Sequence, residues 1–282
     1  MSGADAQAAP AGGRARTARW IAPAAVVVWL FAALFAPLIA PYDPAAIQEA
    51  GVFEGISRAH WLGTDYFGRD LLSRIIAGAR QTVGIALAAT ALAASLGLAL
   101  ALAAAASGGW LDQALSRFLD AMISIPSKMS GLVVVTVFGS SITVLILTLA
   151  FIYVPGCYRI NRASAVNVAA LDYVTVARAR GEGLFHIMFR EILPNMTGPA
   201  LADSGLRFIY VVLLLSSLSF LGLGVQPPQA DWGSLARENM GGLPYGAPAA
   251  IMPALAIATL TVSVNLMIDA FTGSGAREGG AR

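Results

Sequence analysis

The sequence predicts an all-α polytopic membrane protein with six transmembrane helices, and two observations support this fold class. Hydrophobic residues make up 57% of the 282 residues and charged residues only 12%, which is about half the charged fraction of an average soluble domain. The apolar residues also come in runs near or above the roughly 20 residues that a helix needs to cross a bilayer.

The first predicted span covers residues 20–40. Arg14, Arg16 and Arg19 precede it, and basic residues beside a span favour the cytoplasmic side, so residues 1–19 are predicted to form a disordered cytoplasmic tail. A cleaved signal peptide is the alternative interpretation. An uncleaved anchor is favoured because the apolar run is long for a signal peptide and further spans follow.

An external loop is predicted for residues 41–81, since it has no excess of basic residues. Its last part, residues 70–81, has apolar residues at helical spacing and is predicted to lie along the membrane surface. The second span, residues 82–106, is rich in alanine and glycine, which allow helices to pack closely in lipid. It is predicted to end at Gly108-Gly109.

The third and fourth spans follow after this break. An amphipathic helix at residues 111–125 leads through Pro126 into the rest of the third span, which ends at residue 138. After a short turn, residues 142–158 form the fourth span.

Residues 171–194 then interrupt the apolar pattern with a polar, arginine-rich segment, and the basic excess around it predicts a cytoplasmic loop. Two short helical patterns meet at Gly181, and Leu193-Pro194 is predicted to end the second one. We call residues 172–192 the lever. Its apolar residues suit a groove in a partner protein, or alternatively pack on the protein's own helices. These residues are Tyr173, Val174, Val176, Ala177, Leu184, Phe185, Met188, Phe189 and Ile192.

The last two spans are predicted at residues 198–224 and 249–271, with an external loop at 225–248 between them. Trp232 in this loop is predicted to lie at the membrane interface. Residues 273–282 are predicted to form a second cytoplasmic tail, which places both termini in the cytoplasm.

Composition excludes several function classes. Lys128 is the only lysine among the eighteen basic residues and stands between Ser127 and Met129, so the chain has no Walker loop with which to bind a nucleotide. The net charge of +2 is too small to indicate nucleic acid. Two histidines, His60 and His186, are too few and too far apart in the sequence for a metal site or a catalytic triad, and no enzyme activity is predicted. Cys157 is predicted to be a buried, unreactive thiol.

Three charged residues within the predicted spans are candidates for a translocation path. Asp203 and Arg207 are four residues apart and therefore share a helix face. They line a path, or form a self-satisfied pair, or contact another subunit, because charges at such depth need a cavity or a partner. Lys128 is either a path residue or reaches toward the cytoplasmic headgroups.

The segment at residues 171–194 resembles the "EAA" coupling loop of ABC-importer permeases, which has a Glu-Ala-Ala triplet, a glycine and a later Leu-Pro. In this chain the matching positions are Thr175-Val176-Ala177, Gly181 and Leu193-Pro194. Thr175 therefore replaces the acidic residue and Val176 replaces the first alanine.

Two other stretches resemble the dipeptide, oligopeptide and nickel permeases, and the similarity covers residues 20–272. One stretch is His60-Trp61-Leu62-Gly63-Thr64-Asp65 with Gly68-Arg69-Asp70. The other is Leu218-Ser219-Phe220-Leu221-Gly222-Leu223-Gly224-Val225-Gln226-Pro227-Pro228, followed by Asp231-Trp232-Gly233.

The resemblance implies a type I ABC importer permease in a bacterial inner membrane, with a coupling loop at residues 159–197. It implies a second homologous permease, two ABC ATPases that bind ATP and Mg²⁺, and a periplasmic or lipid-anchored solute-binding protein. It implies no cofactor in this chain, and a cargo such as a peptide, opine, glutathione or nickel complex. The residues expected to dock the ATPase are Asp172, Tyr173, Thr175, Val176, Ala177, Arg178, Gly181, Leu184, Phe185 and Met188. The alternative is a self-contained secondary transporter or channel that uses Asp203, Arg207 and Lys128.

Overall fold

The computed structural model of the protein describes residues 12–47 and 51–279, and within these ranges the chain forms helices and no strand. The predicted all-α polytopic fold is therefore confirmed. The helices are α1 Gly12–Ile39, α2 Leu71–Ser107, α3 Gly109–Ile123, α4 Ser127–Phe138, α5 Ile142–Ala169, α6 Asp172–Ala179, α7 Leu184–His186, α8 Thr197–Phe220, α9 Trp232–Glu238 and α10 Pro248–Gly279.

Five segments within the described residues are long and apolar enough to cross a membrane. They are Ala22–Ile39, Leu71–Ser107, Ile142–Ala169, Leu184–Phe220 and Pro248–Ala270. The helices α3 and α4 make a sixth span if they are counted as one, although they are bent by 82° at the break around Pro126.

The prediction of a separate surface helix at residues 70–81 is wrong, because these residues form the start of α2. Asp70 caps its N-terminus by accepting a hydrogen bond of 2.8 Å from the Ser73 backbone N–H, and the helix then runs unbroken to Ser107. Its 37 residues include no proline, so nothing interrupts the backbone hydrogen bonds. At the helical rise it is about 55 Å long, enough to link the two ends of the molecule.

Three other helices also extend beyond their predicted ends. Helix α1 begins at Gly12, so the tail predicted for residues 1–19 is helical from that residue onward. Helix α5 continues from residue 158 to Ala169 because no glycine or proline stands between them. Helix α10 reaches Gly279, well into the tail predicted for residues 273–282. Residues 1–11 and 280–282 of the two predicted tails lie outside the described residues.

The core of the molecule forms around α2. A row of fully buried alanines on α2 lets the backbone of α5 approach closely, as expected where small residues line a helix contact in lipid. The row includes Ala86, Ala89, Ala93, Ala101 and Ala104.

The prediction that Trp232 lies at the membrane interface is wrong, because its side chain is 0% exposed. Its indole N–H donates a hydrogen bond of 2.9 Å to the Ile75 carbonyl, and its backbone N–H donates one of 3.0 Å to Thr82 Oγ1. The ring also meets Trp29 edge-on at 4.7 Å between centroids. The short helix α9 therefore folds back onto the N-terminal half of α2, which buries the indole inside the protein.

Candidate functional site

One face of the lever packs against the protein itself. Val174, Ala177 and Ile192 are fully buried, and Met188 is nearly so. Val174, Met188 and Ile192 belong to one apolar cluster with Leu102 near the C-terminal end of α2. The structure therefore corrects the docking assignment of Ala177 and Met188, which pack on the protein's own helices because they lie on the inward side of the lever.

The opposite face of the lever is exposed. Phe185 is 74% exposed, and its ring stacks against that of Phe189 with centroids 6.4 Å apart. The other exposed members of the predicted docking set are Asp172, Tyr173, Thr175, Val176, Arg178, Gly181 and Leu184. The interpretation that the lever packs on the protein's own helices thus describes its inward face. Docking of a partner on the exposed face stays a prediction.

Gly181 forms the joint between the two halves of the lever. Its φ is +80°, a left-handed conformation that glycine adopts without steric cost. The Gly181 N–H donates to the Arg178 carbonyl at 3.0 Å and the Glu182 N–H donates to the Ala177 carbonyl at 3.2 Å. Such bonds, made just beyond the last helical turn, close a helix C-terminus around a left-handed glycine, so the end of α6 is fixed by local geometry.

Arg178 connects the lever to α2. The resemblance implies that it docks the ATPase, but its guanidinium donates a hydrogen bond of 3.1 Å to the Ala106 carbonyl and a longer one, of 3.4 Å, to the Ala105 carbonyl. These carbonyls belong to the last turn of α2, where the intrahelical donors run out and a cation is favourable. Arg178 therefore ties α6 to the end of the longest helix.

Replacing Arg178 with methionine is expected to loosen this tie. The methionine keeps much of the side-chain volume but removes the charged donor, so we expect a loss of about 1 kcal/mol in the lever's attachment. Hydrogen exchange of the α6 amides is the measurement, and faster exchange is expected. Arg180→Met is the control, because Arg180 is exposed just beyond the end of α6; equal exchange in both variants would contradict the tie.

The prediction that Leu193-Pro194 ends the second helix of the lever is wrong. The chain remains helical, with a π-helix at Ile187–Ile192 and a 3₁₀-helix at Leu193–Met196, before α8 begins at Thr197. Pro194 cannot donate a backbone hydrogen bond, and a change in helical register accommodates the missing donor. The lever is therefore continuous with α8.

Asp203 and Arg207 form an ion pair on α8, with Arg207 Nη2 3.0 Å from Asp203 Oδ1. The second carboxylate oxygen of Asp203 accepts a hydrogen bond of 3.2 Å from Asn161 Nδ2 on α5. The self-satisfied pair is thus present, while Arg207 also lines a cavity of about 450 Å³. Contact of this pair with a solute stays a prediction.

Lys128 lies apart from that pair, in a different cavity of about 650 Å³. Its neighbours there include Phe220 at the end of α8 and Gly233 on α9. The lever, in contrast, precedes the opposite end of α8. The structure therefore does not support the alternative in which Lys128 reaches toward the headgroups on the lever's side.

A polar groove between α3 and α5 is not evident from the sequence. Arg162 on α5 makes a two-pronged ion pair with Asp112 on α3, and Tyr158 shares a hydrogen bond of 2.8 Å with Ser116. Arg159 lines the groove beside them on α5. The sequence pattern places Arg159 in a loop, because the fourth span is predicted to end at residue 158.

Residues of the motif at 60–70 form a buried charge cluster with residues of α2 and α9. The Arg74 guanidinium on α2 lies 2.6 Å from Asp65 Oδ2 and 2.9 Å from Glu238 Oε2. His60 Nδ1 lies 2.9 Å from Asp70 Oδ1 at the start of α2. The loop before α2 and helix α9 are thereby held as one surface at the end opposite the lever.

Asp231 fixes the turn between α8 and α9. Its carboxylate accepts hydrogen bonds from Ser219 Oγ at 2.5 Å, the Ser234 N–H at 2.9 Å and the Val225 N–H at 3.2 Å. Burial raises the pKa of Asp231, and these donors oppose that rise. The carboxyl group acts as a structural cap, because these bonds all lie within the turn.

No cluster of three or more potential metal ligands occurs in the part of the chain that the structure describes.

Comparison with known proteins finds one matching family model. The model of the binding-protein-dependent transport system inner membrane component matches residues 93–273. The chain is 40% identical over 250 residues to the dipeptide transport system permease protein DppC of Escherichia coli K12, covering 86% of this chain and 83% of that protein.

Two further relatives are similar over nearly the same extent. The di/tripeptide transport system permease protein DppC of Pseudomonas aeruginosa is 33% identical, with 85% of this chain and 81% of that protein covered. The glutathione transport system permease protein GsiD of Pectobacterium atrosepticum is 32% identical, with 86% and 81% covered.

Proposed function

The chain belongs to the family of binding-protein-dependent transport system inner membrane components, and from this premise we propose that its lever receives the motion of an ABC ATPase. The chain is a multi-pass inner-membrane permease subunit of an ABC importer. Membership of this family also disfavours the alternative that the chain is a self-contained secondary transporter or channel.

The two-faced burial of the lever is the observation that supports this proposal. A surface that only packs internally does not expose a stacked pair of phenylalanines, whereas a helix that enters a partner's groove needs exposed apolar anchors. The exposed set contains Phe185, Leu184 and Val176. Thr175 stands where relatives of this loop type have an acid, so the docking contact here relies on apolar packing, with Asp172 as the nearby charge.

The lever can transmit motion because of its attachments. Arg178 ties it to α2, and the unbroken helical chain through Pro194 ties it to α8. Closure of two partner ATPases on ATP and Mg²⁺ would displace the lever as a rigid body. Helices α2 and α8 would follow, and the path would switch between inward-open and outward-open states.

The proposed assembly has four membrane-associated subunits and one delivery protein. A second homologous permease completes the path, two ABC ATPases bind on the cytoplasmic side, and both termini of this chain lie on that side. A periplasmic or lipid-anchored solute-binding protein docks on the surface held together by Arg74, Asp65 and Glu238. We propose a short peptide or a related small solute as the cargo, by analogy with the named dipeptide and glutathione permeases.

Replacing Gly181 with valine tests the coupling. A Cβ added at Gly181 would have no atom within 4 Å, so the substitution acts through backbone strain, which costs about 1–2 kcal/mol for a left-handed residue. We expect at least roughly a fivefold drop in solute transported per ATP hydrolysed, because the joint of the lever is displaced. Reconstituted vesicles in which uptake and phosphate release are measured together give this ratio.

Gly183→Val is the matched control. Gly183 also has open space around it but its φ is −70°, which valine adopts freely. We expect wild-type coupling in this variant. Normal assembly and normal uptake in Gly181→Val would rule out the lever as the coupling element.

A further inference from the structure

We propose that Arg159 and Arg207 form a carboxylate site in the groove between α3 and α5, where the negatively charged end of a transported peptide binds during passage. This inference rests on the proposed function, since the carboxylate is that of the proposed cargo. Arg159 is not among the predicted path residues, because the sequence pattern places it in a loop. The ligand of the groove is a carboxylate.

The groove consists of two adjoining cavities. The cavity that Arg207 lines, of about 450 Å³, is within the size range of small-molecule sites. A second cavity of about 470 Å³ lies next to it and extends toward the Asp112–Arg162 pair. Ile123 and Arg159 line both cavities. The Arg159 side chain therefore lies where the two cavities adjoin.

Arg207 presents part of its guanidinium to the first cavity. Its hydrogen bonds to Asp203 use Nε and Nη2. Nη1 instead lies against Gly156, where a Cβ added to the glycine would come within 2.7 Å of it. Gly156 lines the same cavity, so the missing side chain on α5 is what lets this N–H edge reach the cavity wall.

Arg159 lies about one helical turn beyond Gly156 on the same face of α5. Within the described ranges its side chain makes no ion pair, whereas Arg162 and Arg207 are each paired with an aspartate. A guanidinium in an apolar span that lacks such a pair is costly unless it faces water or a ligand. Its placement on the wall of two cavities meets that requirement.

The first cavity favours an anion of planar shape. It is lined by two arginines and by no acidic residue, and most of its other walls are apolar. Low polarity around the cavity strengthens charge attraction, and a guanidinium binds a carboxylate through two parallel N–H donors. The free C-terminus of a peptide supplies such a group, and the Asp203 carboxylate keeps Arg207 from holding it too tightly to release.

The test compares a peptide with its amide. The complete transporter, with its second permease, ATPases and binding protein, is reconstituted in vesicles, and ATP-driven uptake of alanyl-alanine and of alanyl-alanine amide is measured at saturating binding protein. For each cargo, the uptake rate of each variant is divided by the uptake rate of the wild type. Any preference of the unchanged binding protein for one cargo therefore cancels.

Arg159→Gln is expected to reduce uptake of the free peptide about tenfold, as for the loss of one charge-assisted hydrogen bond, and to leave uptake of the amide within about twofold. Arg159→Lys keeps the charge and is expected to recover most of the free-peptide uptake. Arg117→Gln on α3 is the matched control, because Arg117 is exposed and lines neither cavity.

Equal losses for both cargoes, or no loss for either, would overturn the carboxylate site while leaving the proposed function intact. Arg159→Met is measured in parallel, so that a folding defect peculiar to the glutamine variant does not decide the result. A wild-type complex that imports neither form of the peptide would instead overturn the proposed peptide cargo.

Discussion

Replacing Phe185 with aspartate is expected to weaken binding of the ATPase subunit to this chain by at least roughly 30-fold. Phe185 is 74% exposed on the lever and stacks on Phe189. Aromatic anchors at the centre of an interface contribute about 2 kcal/mol or more when truncated, which corresponds to roughly a 30-fold loss of affinity. A buried carboxylate would add a desolvation cost to that loss.

Co-purification of the ATPase with the tagged permease, followed by a binding titration in detergent, measures this effect. Phe185→Leu is expected to bind within about fivefold of wild type because it keeps most of the apolar area. Asn195→Asp provides the charge control, since Asn195 is exposed beyond the lever. If the Phe185→Asp complex assembles with unchanged affinity, the exposed face of the lever is not the ATPase contact.

Replacing Trp232 with alanine is expected to destabilise the permease by about 3–5 kcal/mol, the usual cost of truncating a buried tryptophan. The indole is fully buried against α2, and its N–H satisfies the Ile75 carbonyl. Its removal would leave a cavity where α1, α2 and α9 meet, so α9 would lose its main packing contact with the core.

Thermal unfolding of the purified permease checks this expectation, and we expect a clearly lower midpoint for Trp232→Ala. Trp61→Ala is the matched control, because Trp61 is 67% exposed on the preceding loop and surface substitutions usually change stability by less than about 0.5 kcal/mol. Equal midpoints for the two variants would mean that α9 contributes nothing to the stability of the core.

Apolar spacing along the lever predicts its helices but not its buried face. Apolar spacing predicts two helical pieces joined at Gly181, and the structure has them. The same spacing cannot say which apolar residues face inward, because Met188 and Phe185 are both large, apolar and close together in the sequence. Packing against the end of α2 decides that Met188 is buried and that Phe185 is not.

Helix ends are predicted poorly where a charge is taken as the end of a span. The sequence pattern assigns Arg159 to a loop, yet α5 continues through it to Ala169. Arginine is a good helix former, so a charged residue changes what a helix faces without ending it. This error hides the groove, since its polar residues come from α3 and α5 and are far apart in the sequence.

The sequence by itself determined the class of this protein: a helical multi-pass permease with a polar, two-piece lever and short motifs that resemble those of peptide permeases. These features follow from composition, from apolar run length and from short motifs, all of which are local properties. Only the tertiary structure decided that Trp232 is core, that Arg178 caps α2 and that Arg159 lies in a groove. The reason is physical: burial, pairing and cavity walls depend on which distant helices meet, and that depends on the packing of the whole bundle.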